Sequence, residues 1–124
     1  MGKTVVIHQP DFMPYLGFFH RLLYCDLFII LDHVQYVSKG SGWHNRDKIK
    51  TQNGEKWITI SVEKAPLNTS IYEIILSKND WEKNNLNLIA ENYKKAEFFD
   101  EIMPYIQELY SFECEMMMDF NLKS

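Results

Sequence analysis

The chain has 124 residues, 46% of them hydrophobic and 15% aromatic, which suits one folded domain and excludes intrinsic disorder. A formal net charge of −4 argues against a protein that wraps nucleic acid through general electrostatics, while leaving room for a local basic pocket. No apolar run approaches the roughly 20 residues that a membrane-spanning helix needs.

Met1-Gly2-Lys3 leads straight into Val5-Val6-Ile7, with no signal peptide, so the cytoplasm is the expected location. The β-branched run at 5–7 reads as a buried strand. Pro10 and Pro14 exclude regular structure between them. Gly17 to Cys25 reads as a helix, and Leu27 to Leu31 as a second buried strand ending at Asp32. Strand, helix and strand within about thirty residues is the signature of a βαβ unit with parallel strands.

Val34 to Gly42, with its "SKGSG", reads as a loop. Asn53-Gly54 is a hairpin signal joining 47–51 to 56–62. A further strand is expected over Ile71 to Leu76. A helix follows, with Asn79 or Asp80 as cap, and a second helix from Met103 to Tyr110 with Pro104 in its first turn. The whole predicts one α/β domain over 1–124: a mainly parallel sheet from the N-terminal βαβ unit, an antiparallel hairpin extension and C-terminal helices. At the end, Phe112, Met116, Met117 and Phe120 need something to pack on. The expectation is that they fold back on this domain or that further sequence follows, the chain being the N-terminal part of a longer protein. Cys25 and Cys114 form no metal or redox motif and are expected as buried free thiols.

The candidate chemistry gathers at the carboxyl edge of the parallel strands, where α/β sheets bind ligands. His8 lies there, with Gln9 beside it. Gly17 at the helix start would let an anion approach bare N–H groups, with His20 and Arg21 one turn in. Asp32, at the end of the second strand, would orient a histidine. Gln35 follows it. In "WHNRDKIK", Arg46, Lys48 and Lys50 alternate and share one strand face. Beside Trp43 and Asn45 they would form a wall for phosphate or carboxylate. A set of His8, His20, Asp32 and His33 matches no standard metal spacing, so no metal is expected. Ser38, Ser41 and Ser61 lie in no nucleophile motif. Pro14-x-x-Gly17-x-x-His20 loosely resembles the HIGH-type loop of nucleotidylyltransferases, without an intact HxGH. The sequence specifies neither cofactor nor oligomeric state.

Several motifs together resemble the WbqC-like protein family. They are "HQP" after the first strand, "PYLGFF", "DLFIILDHVQ", "WHNRDKI", "GEKWITISV" and the later "DWEKNNLNLIAENYKKAEFF". Ser61 stands where the family usually has proline, and Glu97 where it often has proline after Lys-Ala. The resemblance implies an enzyme of bacterial surface-polysaccharide (O-antigen) biosynthesis, transferring glycine or another acyl group to a sugar or sugar nucleotide. In that reading His8 or His20 is the general base and Asp32 its orienter. Arg46, Lys48, Gly17 and Arg21 bind phosphate or carboxylate, and Gln9 and Asn45 position the small-molecule substrate. The alternatives are a nucleotidyl-transferring enzyme that uses His8, Gly17 and His20 on phosphates, and a non-catalytic sugar- or peptide-binding module. No nucleic-acid partner is expected.

Overall fold

The structure, a computed structural model, describes residues 2–38 and 43–124. It is a mixed α/β fold. The expected βαβ unit is present: β1 (Val5–His8), α1 (Leu16–Tyr24) and β2 (Leu27–Ile30), with β1 parallel to β2. The register sets Val5 against Leu27 and His8 against Ile30. Phe18 of α1 is buried against one face of this pair, its ring 5.2 Å from that of Phe28.

β3 (Arg46–Thr51) and β4 (Gly54–Thr59) form the expected antiparallel hairpin, whose ladder is a two-stranded sheet of its own. The turn falls one residue earlier than the Asn53-Gly54 signal suggests. Gln52 and Asn53 make the turn, and Gly54, at φ +103°, opens β4. That φ is strained for any residue with a Cβ, so the glycine is required at this place. Thr51 closes the turn by donating its hydroxyl to the Gly54 carbonyl at 2.6 Å.

The strand expected over Ile71 to Leu76 begins instead as a 3₁₀ turn, Ile71–Glu73. Ser70 and Glu73 are responsible: the Ser70 N–H donates to Glu73 Oε2 at 3.1 Å, the backward half of a capping box. Extended structure resumes only as single bridges, Val62 to Leu76 and Ile75 to Met116.

Three helices complete the body: α2 (Trp81–Tyr93), α3 (Phe99–Tyr110) and α4 (Met117–Lys123). Asp80 is the N-cap of α2 and makes no side-chain cap bond; the first helical N–H, that of Trp81, instead donates to Oδ1 of the preceding Asn79 at 3.2 Å. α3 starts four residues before the expected Met103, so Pro104 lies inside it rather than in its first turn. The helix loses one backbone bond there, while buried Met103 and Tyr110 keep its inner face packed. Of the four C-terminal residues, Met117 and Phe120 fold back and are fully buried, Phe120 packing on Trp81, Tyr110 and Phe12, while Met116 is half-buried and Phe112 stays exposed. Both cysteines are free and half-buried, short of the full burial expected. Residues 39–42 of the expected loop, Ser41 among them, lie outside the described residues. Among the described residues, no helix is long and apolar enough to cross a membrane.

Candidate functional site

β1 ends at His8, and the next five residues form a tightly anchored loop. Pro10 is buried, and Phe12 plugs into the core at 1% exposure. The Phe12 N–H donates to the Trp43 carbonyl at 3.1 Å. Asn121 of α4 donates through Nδ2 to both the Pro10 carbonyl (2.9 Å) and the His44 carbonyl (2.6 Å). Ser124 Oγ accepts from the Met13 N–H at 3.4 Å. Met13 adopts φ +43°, a left-handed conformation that costs a methionine on the order of 1–3 kcal/mol. The anchors on either side offset that strain. α4 and the segment before β3 thus clamp the His8–Pro14 loop from both sides.

The clamp creates two clefts that share His8, Asp11 and Trp43. The first, of about 400 Å³, also takes in Pro14, Tyr15 and Asp47. The second, of about 440 Å³, takes in Gln9, Leu31, Val37 and His44. Both volumes fall in the range of small-molecule sites.

The histidines have distinct roles in this geometry. His8 Nδ1 lies 2.7 Å from the Gln9 carbonyl, which can only accept. Nδ1 therefore carries the proton, and Nε2 of the neutral ring keeps its lone pair. Asp11 Oδ2 lies 3.8 Å from the same Nδ1, and both side chains are about one-fifth exposed. A protonated His8 would thus meet a carboxylate directly. Phe18 supports the ring edge-on at 4.9 Å. Burial is the largest influence on Asp11 and raises its pKa. The Asp47 carboxylate adds to the rise, and His8, His44 and Arg21 oppose it.

His44 is buried at 2% exposure. Its Nε2–H donates to Gln9 Oε1 at 2.6 Å, and its Nδ1 accepts from the Val37 N–H at 3.4 Å. Burial lowers its pKa, which Asp11 partly counters, so the ring stays neutral and structural. His44 holds Gln9, and Gln9 in turn presents its carbonyl to His8.

The other expected site residues are distributed as follows. Trp43 lines both clefts, its ring 5.5 Å from that of Trp57. Arg46 and Lys48 sit on the opposite face of β3 from Asp47, over the Trp57 ring at 4.3 and 5.1 Å. Lys48 also pairs with exposed Glu55 at 2.7 Å. Neither basic side chain lines a cleft. Asn45 Nδ2 donates to the Ile60 carbonyl at 3.2 Å and knits the base of the hairpin. Arg21 donates to the Tyr15 hydroxyl at 3.3 Å. At Gly17, the space a Cβ would take is filled by the Tyr15 ring, so the ring covers the helix start that an anion was expected to reach. His20 is exposed, stacked on Tyr24 at 4.7 Å, and lines neither cleft. Asp32 also lines neither; its carbonyl accepts from the Tyr72 N–H. Gln35 is exposed and bridges to Ser70. Among the described residues, no three His, Cys, Asp or Glu side chains converge as metal ligands.

Of the residues expected from the sequence, His8, Gln9 and Trp43 line the clefts; Asp11, His44 and Asp47 line them too and Asn121 anchors the loop, though the sequence did not single them out as site residues. Asp11 had a legible signal, an acid three residues after a strand-end histidine across a proline. The carboxylate beside His8 is Asp11, in place of the expected Asp32.

The WbqC-like protein family matches residues 9–124. An uncharacterized protein of Mycobacterium tuberculosis is 35% identical over 109 residues, covering 87% of this chain and 46% of the relative. The chain thus spans about half the length of that protein. No solved structure matches. On the first two matches, the chain belongs to the WbqC-like protein family.

Proposed function

We propose that this WbqC-like protein is an acyl or aminoacyl transferase of bacterial surface-polysaccharide biosynthesis, acting in the cytoplasm on a sugar or sugar nucleotide. The observation that carries the reading is the meeting of two clefts at one histidine. A transferase must bring a donor and an acceptor to one base, and His8 belongs to both clefts. His8 Nε2 takes the proton of the attacking hydroxyl or amine as that atom bonds to the acyl carbon. Asp11 stabilises the imidazolium that forms. The carbonyl is then restored, the bond to the leaving group breaks, and the leaving group takes the proton from His8. Trp43 offers an exposed aromatic surface for a sugar ring on either side.

Nucleotidyl transfer is less well supported. It needs the α1 start open to phosphate and His20 facing His8. Tyr15 covers the first and Tyr24 stacks on the second.

The test begins with a thermal-shift screen of nucleotide sugars, acyl-CoAs and nucleoside triphosphates with Mg²⁺, followed by turnover assays on the responding pair. His8→Ala should fold normally and lose about 10²–10⁴ of the rate, the usual worth of a general base. A His8→Ala protein that binds weakly, against a parent that turns nothing over, would make this a binding module. Stabilisation by a nucleoside triphosphate with Mg²⁺ alone would favour nucleotidyl transfer.

A further inference from the structure

We propose that the cleft formed by His8, Asp11, Trp43 and Asp47 binds a primary ammonium group, held by the two carboxylates against the rings of Trp43 and Tyr15. The inference deepens the transferase reading and rests on it for the use made of the amine, while the binding itself can be tested alone.

The charge of the cleft is the starting point. Its ionisable lining, apart from the Tyr15 phenol, is His8, Asp11 and Asp47, and no Lys or Arg lines it among the described residues. The basic row that suggested an anion site, Arg46 and Lys48, lies on the other face of β3 over Trp57. An anionic ligand would meet two carboxylates of its own sign. A neutral sugar would need no such pair.

The carboxylates are also placed for a cation. Asp11 has lost much of its water, and Asp47 lies close enough to act on it electrostatically. Arg21 acts on Asp11 through its field, and one of its N–H groups donates to the Tyr15 hydroxyl. Asp47 receives the Lys48 N–H on Oδ1 at 2.7 Å, which fixes its side chain. An ammonium between the two would neutralise a like-charged pair that protein groups leave only partly balanced. Trp43 and Tyr15 add ring faces to which a cation is attracted. His8, in the same cleft, stands ready to take the proton that an ammonium must lose before it can attack a carbonyl.

The amine can come from an amino-sugar acceptor or from an aminoacyl donor. Two matched pairs separate these sources: glucosamine against N-acetylglucosamine, and glycinamide against N-acetylglycinamide. Binding is followed through the tryptophan indole N–H signals by NMR at mildly acidic pH, where both amines are charged. In at least one pair the amine should bind about tenfold or more tightly than its acetylated form, the scale of a charge-assisted contact. Discrimination in the sugar pair assigns the amine to the acceptor, and in the glycyl pair to the donor. Asp47→Asn and Asp11→Asn should each erase the preference, and Glu55→Gln, outside the cleft, should leave it. Equal binding within both pairs, no response from any probe, or a preference that survives both Asn variants overturns the proposal. The wild-type comparison stands even if a variant fails to fold. Discrimination without any turnover would remove the transferase and leave the ammonium site. Turnover of acetylated acceptors without discrimination would do the reverse.

Discussion

β1 and β2 carry the same kind of residue as β4 and the segment after it, and bury them very differently. Val5, Ile7, Leu27 and Ile29, one face of the parallel pair, are between 40% and 56% exposed, whereas Ile58 and Ile60 are at 0%. α1 repeats the contrast, with Leu16 at 87% and Leu23 at 79%. The main apolar cluster draws its buried members from residues 58–120, with Phe12 as the exception. β1 and β2 are therefore packed on one face, by Phe18, and left open on the other, while the body is closed on itself. The candidate site lies on the seam. His8 and Asp11 come from the loosely covered unit, and Trp43, His44 and Asp47 come from the hairpin side. Phe12 and Asn121 let the rigid body dictate the geometry of a loop that its own unit cannot hold.

The strongest way to sharpen this contrast is to remove one side chain from each region. Phe120→Ala deletes a ring that touches Phe12, Trp81 and Tyr110, and should cost about 3–5 kcal/mol in urea unfolding. Leu23→Ala should stay within about 0.5 kcal/mol, as exposed substitutions do. Similar costs for the two would erase the distinction between the regions.

A smaller effect tests the seam itself. Asn121→Ala leaves the Pro10 and His44 carbonyls without their donor in a buried place. The expected cost is about 1–3 kcal/mol, from unsatisfied buried acceptors. In the parent, Asn121 Oδ1 has no hydrogen-bond partner to lose, so the loss reports the two bonds donated by Nδ2. A variant as stable as Leu23→Ala would mean that the body does not hold the loop.

What the sequence made legible follows from range. The βαβ unit was readable because a β-branched run at 5–7 and an apolar run at 27–31 flank a nine-residue helix with Phe18 on its inner side. The hairpin was readable from Asn-Gly, though the φ requirement at Gly54 moved the turn by one residue. The Ser70–Glu73 box was equally local, yet the apolar run of Ile71, Ile74 and Ile75 hid it. The site was legible only in part. His8 and Gln9 are marked by their place at a strand end. His44 gains its role from Gln9, 35 residues away, and Asn121 from Pro10, 111 residues away. No period or spacing encodes such contacts. The basic alternation at Arg46 and Lys48 was read correctly as one strand face, but that face turned out to be the one over Trp57.

The smallest predicted effect concerns His44, the buried link between the halves. Its pKa in the fold is lowered, first by burial and further by His8, with Asp11 opposing. The unfolded chain therefore takes up a proton near the ordinary value of 6.5 while the folded chain does not. Stability should fall as the pH drops from 6.5 through the lowered value, because the unfolded state binds more protons in that window. Asp11 acts with the opposite sign: its raised pKa favours the fold at low pH, and that contribution is lost as pH rises through the raised value. A parent curve alone would mix the two. His44→Gln keeps an amide to meet Gln9 and removes the titration, so the difference between the two urea-stability curves reports His44 together with its electrostatic coupling to Asp11. The parent should lose stability faster than His44→Gln on acidification below neutrality. Parallel curves would mean that His44 takes up its proton as readily in the fold as outside it, and the bond that Nδ1 accepts from the Val37 N–H would then count for little.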